Sequence, residues 1–124
     1  MESKNTQKFV DALFAERSTE AEPYRGAFDK GVDSYFMAAS SISYTLGEAL
    51  AVEMTENVKE FVTPDQFDPQ GLHMIKRFTA YVRGVNASMK ASEEYKLNDN
   101  QRDIVHSAYL DRLSGPQASS GTGE

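Results

Sequence analysis

Apolar positions along this chain recur at steps of three and four, the repeat of one helix face, and no useful length of sequence alternates apolar with polar as a strand would. Phe9 with Leu13 and Val10 with Phe14 form i, i+4 pairs on a first helix that Asn5 or Thr6 can cap and that ends near Arg17. A second helical region runs from about Glu22 to Val62. Its seam is Phe28, Val32, Tyr35, Ala39, Ile42, Leu46 and Ala49, and beyond Ala49 it slips by one residue to Leu50, Met54, Val58 and Phe61. Gly26, Gly31 and Gly47 each weaken a helix by about 1 kcal/mol relative to Ala. The region is therefore one long helix, or two with a break between Ser40 and Gly47.

Punctuation sets the remaining elements. Thr19, three residues before Glu22, reads as a capping box, and Pro23 suits a first helical turn. Pro64 and Pro69 cannot both lie inside a helix, so residues 63–69 form a boundary. Asp68 and Pro69 read as the cap and first position of a third helix reaching Tyr95, with a seam of Leu72, Ile75, Phe78, Val82, Val85 and Met89. Asn98-Asp99-Asn100 is turn chemistry that opens a last helix to Leu113 carrying Ile104, Val105, Ala108 and Leu110. From Ser114 the sequence S-G-P-Q-A-S-S-G-T-G-E has nothing to order it. The pattern predicts an all-α bundle of four helices, or five if the long one breaks. It forms one domain over 1–113, with a flexible tail over 114–124.

Composition narrows this picture. Leu, Ile, Val and Phe make up 25 of 124 residues, a thin supply that 6 Tyr and 5 Met must supplement. Thin cores tend to gain stability from a bound partner or a second copy. A net charge of −6 disfavours nonspecific binding to nucleic acid or anionic lipid. The absence of Cys rules out disulfides, thiol catalysis and thiolate metal sites. No apolar run reaches the length of a membrane span, and the start M-E-S-K-N-T-Q-K lacks the apolar stretch of a signal peptide. The expectation is a soluble cytoplasmic protein.

Ser34 to Met54 is nearly free of charge and rich in small side chains. Tyr35, Ala38, Ala39, Ser41, Ile42, Ser43, Leu46 and Gly47 would form a low-bulk helical face that another helix backbone can approach closely. Three readings follow: packing against the third helix, an interface with another protein or a second copy, or a small-molecule pocket served by Tyr35, Tyr44 and the serines. Glu53, Glu56 and Glu60 on one helix and Lys76, Arg83 and Lys90 on the next form opposed stripes. The plain reading is that they flank an antiparallel seam and set its register. The sharper one is that the basic stripe, with Arg77, faces outward and binds an acidic partner or a phosphate.

Catalytic and metal chemistry find no footing. There is no Gly-x-Ser-x-Gly, no phosphate-binding Gly-rich loop and no Glu-x-x-His. Of the two histidines, His106 follows Asp103 by three residues, which reads as a solvated pair, and His73 follows Gln70. Met37, Met54, Met74 and Met89 serve as core fillers or as an adaptable surface. The expected function is non-enzymatic: a protein–protein interaction module without cofactor, self-associating or docking into a larger assembly, of the kind common among viral and mobile-element accessory products. One alternative is a helix-turn-helix regulator reading DNA with Gln101 and Arg102. Another is a carrier of a small apolar ligand in the Tyr- and Met-rich interior.

Overall fold

A computed structural model describes residues 2–61 and 67–114. The expected tail from 115 onward and the residues 62–66 around Pro64 lie outside the described residues. Within them the chain is all-α: α1 (Glu2–Arg17), a single 3-10 turn (Glu22–Tyr24), α2 (Arg25–Ala39), α3 (Leu46–Phe61), α4 (Leu72–Tyr95) and α5 (Asp99–Ser114). No helix of the described residues is long and apolar enough to cross a membrane.

The long helical region breaks, and its local chemistry shows why. Ser40 Oγ donates to the Phe36 carbonyl at 2.9 Å, and Ser41 Oγ accepts from the backbone N–H groups of Ser43 and Tyr44 at 3.3 and 3.2 Å. These side chains offer the backbone an alternative to continuing the helix. Thr45 then restarts it. Its N–H donates to Glu48 Oε1 at 3.1 Å while the Glu48 N–H donates to Thr45 Oγ1 at 3.3 Å, a reciprocal capping box. The capping box expected at Thr19 and Glu22 is absent. Thr19 Oγ1 donates instead to the Glu16 carbonyl at 2.6 Å, closing α1 rather than opening the next element.

The third helix starts later than its cap suggests. Gly71, at φ 72°, supplies a left-handed turn that most residues avoid, and α4 begins at Leu72. Asp68 still caps from a distance, accepting from the His73 and Met74 N–H groups at 3.2 and 3.0 Å. Desolvation opposes ionisation, but the Met74 and His73 N–H groups, the His73 charge and the Leu72 N–H together hold its carboxyl below the usual carboxylate range. Before α5, Asn98 Oδ1 accepts from the Gln101 N–H at 2.8 Å and the Asn98 N–H donates to Gln101 Oε1 at 2.9 Å. The expected turn is thus a capping box, and α5 starts at Asp99.

The assembly is organised around α2 and α4, which share the most extensive interface. They run parallel: Tyr24 at the entry to α2 meets His73 at the start of α4, Gly31 meets Gly84, and Tyr35 near the end of α2 meets Ser92. At the crossing the two backbones touch. A Cβ added to Gly31 would overlap the Tyr81 carbonyl and stand 3.1 Å from Gly84 Cα; one added to Gly84 would overlap the Phe28 carbonyl and stand 3.1 Å from the Val32 nitrogen. Buried Ala27, Ser34 and Ala38 on α2 and Ala80, Ser88 and Ala91 on α4 extend this low-bulk contact. α1 and α5 close one flank through Phe9 on Phe36 and Phe14 on Tyr109, with ring centroids 5.9 and 4.9 Å apart. α3 covers the other flank, antiparallel to both.

The close crossing overturns the expected seam of α4. On α4 the buried face is Ala80, Tyr81, Gly84, Val85, Ser88 and Ala91, so Val85 alone of the predicted seam is buried. Backbone contact requires small side chains, and the larger apolar residues are turned aside. On α2 the predicted seam holds for Phe28, Val32 and Tyr35 and ends with the helix: Ile42 is 100% exposed.

The two roles of glycine make opposite predictions. Gly31→Ala and Gly84→Ala should each lower the unfolding free energy by about 2 kcal/mol or more, because neither backbone can yield. Gly26→Ala and Gly47→Ala, where an added Cβ meets nothing within 4 Å, should raise it by up to about 1 kcal/mol. Urea denaturation of the four variants checks this, and a uniform response would refute the backbone contact.

Candidate functional site

α3 is seated shallowly. Of its residues only Ala49, Leu50 and Phe61 are buried. Its anchor is partly polar: Asn57 Nδ2 donates to Ser34 Oγ at 2.7 Å and to the Tyr81 hydroxyl at 3.3 Å, and those two hydroxyls share a hydrogen bond of 2.9 Å. Lys30 Nζ pairs with Glu60 at 3.0 Å, and Phe61 packs on Tyr81 with ring centroids 5.2 Å apart. These contacts tie α3 to α2 and to the inner side of α4, leaving the outer junction between α3 and α4 open.

Along that junction lies an apolar strip. A hollow of about 230 Å³ at one end is lined by Val58, Phe61, Met74, Ile75 and Phe78, all apolar. A second, of about 330 Å³, is lined by Tyr35, Leu46, Met89, Lys90, Ser92 and Glu93. Leu72 and Ile75 are each 56% exposed and Phe78 37%. At 1.5 Å per residue, Ile75 to Met89 spans about 20 Å of helix. The predicted seam of α4 is therefore uncovered towards its two ends, at Leu72, Ile75 and Phe78 and again at Met89, while Val82 is partly buried and Val85 buried between them, and it is the candidate site.

The face expected between Tyr35 and Gly47 does not exist as one surface. Tyr35 and Ala38 lie in the core, with the Tyr35 hydroxyl on Ser92 Oγ at 2.6 Å, and Ala39 is half-buried against it. Ser41, Ile42 and Ser43 belong to the loop between α2 and α3, and Gly47 is exposed. Of this set, Tyr35 and Leu46 border the strip, at the hollow they share with Met89. Continuous helical spacing predicted the face, and the serine turn interrupts it.

The charge stripes also part company. Glu60 turns toward α2 to meet Lys30, Glu56 pairs with Lys59 at 3.3 Å, and Arg83 pairs with Glu20 at 3.2 Å. The acidic stripe of α3 and the basic stripe of α4 therefore do not face each other across a seam. Lys76, Arg83 and Lys90 each follow a strip position (Ile75, Val82, Met89) by one residue, which places them about 100° further round α4. Arg77 is half-buried on the opposite side of that helix.

The remaining candidate groups have structural partners. His73 Nδ1 shares a hydrogen bond of 2.6 Å with the Tyr24 hydroxyl. His106 Nε2 donates to Asp33 on α2 at 2.8 Å, not to Asp103, and its ring stacks on Phe36 at 4.9 Å. Gln101 is held in its capping box, and Arg102 pairs with Asp99 at 2.9 Å. Among the described residues no group of three His, Cys, Asp or Glu converges. Burial pushes the Tyr109 phenol up, and its hydrogen bond to Asp29 adds to the shift. The hydrogen bond from Arg112 holds the Asp11 carboxyl low. No known protein family, curated protein or solved structure matches this chain.

Asp33 yields a pH prediction. The hydrogen bond from His106, followed by the charges of His106 and Lys30, lowers its carboxyl below the ordinary value despite opposing desolvation. A depressed carboxylate contributes stability that is present above its unfolded value, near 4, and is lost as pH falls through the lower folded value. Its side chain is 48% exposed, so screening keeps the effect below about 1 kcal/mol. Asp33→Asn should be less stable than the parent at neutral pH, and thermal melts should show the gap closing below pH 4. A gap that persists there would remove this ion pair from the account.

Proposed function

We propose that this chain is a non-enzymatic protein–protein interaction module that docks a partner along the open junction of α3 and α4. The observation that carries the reading is the uncovered apolar seam of the longest helix, with Ile75, Phe78 and Met89 exposed beside two hollows. Two hollows about 20 Å apart on one helix, with exposed apolar side chains at helical spacing beside them, fit an amphipathic helix laid along the junction. Met74 and Met89 lend it the adaptability such grooves use.

Charge selects between a second copy and a different protein. An antiparallel pairing of two α4 helices about Val82 would match Ile75 with Met89, but it would also set Lys76 beside Lys90 and Arg83 beside Arg83. Like charges at such positions oppose association, and the net charge of −6 adds repulsion between copies. The basic flank instead complements a helix with acidic residues beside its apolar face. The Cys-free composition suits a reducing compartment such as the cytoplasm.

The test is a photo-crosslinking residue at position 89, expressed in the native host, with Leu72→Ser and Ile75→Asp as competing variants. Both substitutions lie on exposed positions, so stability should change by no more than about 0.5 kcal/mol while the crosslinked adduct disappears. Sedimentation of the isolated chain should give a monomer at micromolar concentration. An adduct that survives both variants, or a dimer that they abolish, overturns docking of a different protein.

A further inference from the structure

On the flank of α4 away from α3, a third hollow of about 310 Å³ opens beside the 3-10 turn, with Glu20, Tyr24, Lys76, Thr79 and Arg83 in its lining. Its floor is a fixed charge. Glu20 is only 6% exposed, and both its carboxylate oxygens accept from Arg83 Nη1, at 3.2 and 3.3 Å. The turn carrying Glu20 is itself pinned, because Arg25 Nε donates to the Glu20 carbonyl at 3.1 Å and Arg25 Nη2 donates to the Ser18 carbonyl at 3.4 Å. Glu20 thus holds the Arg83 guanidinium by one nitrogen.

Two cationic groups remain available in this hollow. A guanidinium carries five N–H donors in a rigid fork, and the bonds to Glu20 use only Nη1. The Arg83 side chain is 62% exposed, so its other nitrogens reach solvent. Lys76, one helical repeat of seven before it, makes no ion pair among the described residues. The lining thus carries two cations and one carboxylate, which is bonded to Arg83 alone, so its local excess is positive in a chain whose net charge is −6.

We propose that this hollow binds a small oxyanion, a phosphate or carboxylate group, between the Lys76 ammonium and the unused nitrogens of Arg83. A pre-oriented fork beside a mobile point charge is the arrangement that recognises such oxygens. Glu20 is a positioning residue: it aims Arg83 and does not touch the ligand. The site lies in the isolated chain and does not depend on the docking reading.

The experiment is an amide NMR titration of the full chain with inorganic phosphate, and separately with malonate, at constant ionic strength. Saturable shifts should appear at residues 19–24, 76, 79 and 83, with dissociation constants in the millimolar range. Lys76→Ala should weaken binding about tenfold without changing the spectrum elsewhere. Arg83→Lys, which keeps the charge and loses the fork, should weaken it severalfold, and Lys90→Ala should leave it unchanged. Tighter phosphate or tighter malonate binding identifies which oxyanion the site prefers. Linear, unsaturated shifts with both anions would overturn the proposal, as would equal effects of Lys76→Ala and Lys90→Ala.

Discussion

The backbone contact between Gly31 and Gly84 is the constraint on which the rest of this structure depends. Each glycine costs its helix about 1 kcal/mol in propensity. In return α2 and α4 approach closely enough for the carbonyls of Phe28 and Tyr81 to fill the space where side chains would stand. Only small residues can continue such a crossing, and the neighbouring positions are Ala27, Ser34, Ala38, Ala80, Ser88 and Ala91, all buried. Apart from Tyr81 and Val85, the bulky apolar residues of α4 are displaced to the side. The uncovered strip at the α3 junction is thus the geometric consequence of a tight central pair.

A core assembled from small residues and aromatics is rich in hydroxyls, and these are satisfied across helices. Ser34, Tyr81 and Asn57 join α2, α4 and α3; Tyr35 and Ser92 join α2 and α4; Tyr109 and Arg17 both donate to Asp29, joining α5 and α1 to α2. Each pairing removes the desolvation cost of a buried polar group, and each holds in one register only. In a chain with so few aliphatic residues, these bonds specify alignment that side-chain volume alone would leave loose.

α4 therefore presents two outward surfaces of different chemistry. One is apolar and elongated, bounded by a helix that covers it incompletely. The other is polar and compact, built where α4 meets the pinned turn before α2. Lys76 and Arg83 line the polar surface and Lys90 borders the apolar one, so charge is available to either side. An acidic protein that concentrates its few cations along one helix has a localised attraction for acidic groups and a general repulsion elsewhere.

Helix class was legible in the pattern, and helix number to within the choice of four or five, because the three- and four-residue repeat is a property of each segment alone. The all-α bundle, the limits near Arg17 and Tyr95, and the turn at Asn98 follow from local caps and periodicity. The break at Ser40 was present as Thr45 and Glu48, a capping box hidden within a continuous apolar seam, while the false box at Thr19 showed that the motif does not act without its backbone. The buried side of α4 was not legible. Periodicity ranks faces by hydrophobicity, which favours Ile75, Phe78 and Val82, whereas burial was decided by how near α2 could come, which favours Gly84 and Ser88. Glycine in a helix reads as a weakness from the sequence alone, and only a second backbone lying against it makes it a contact.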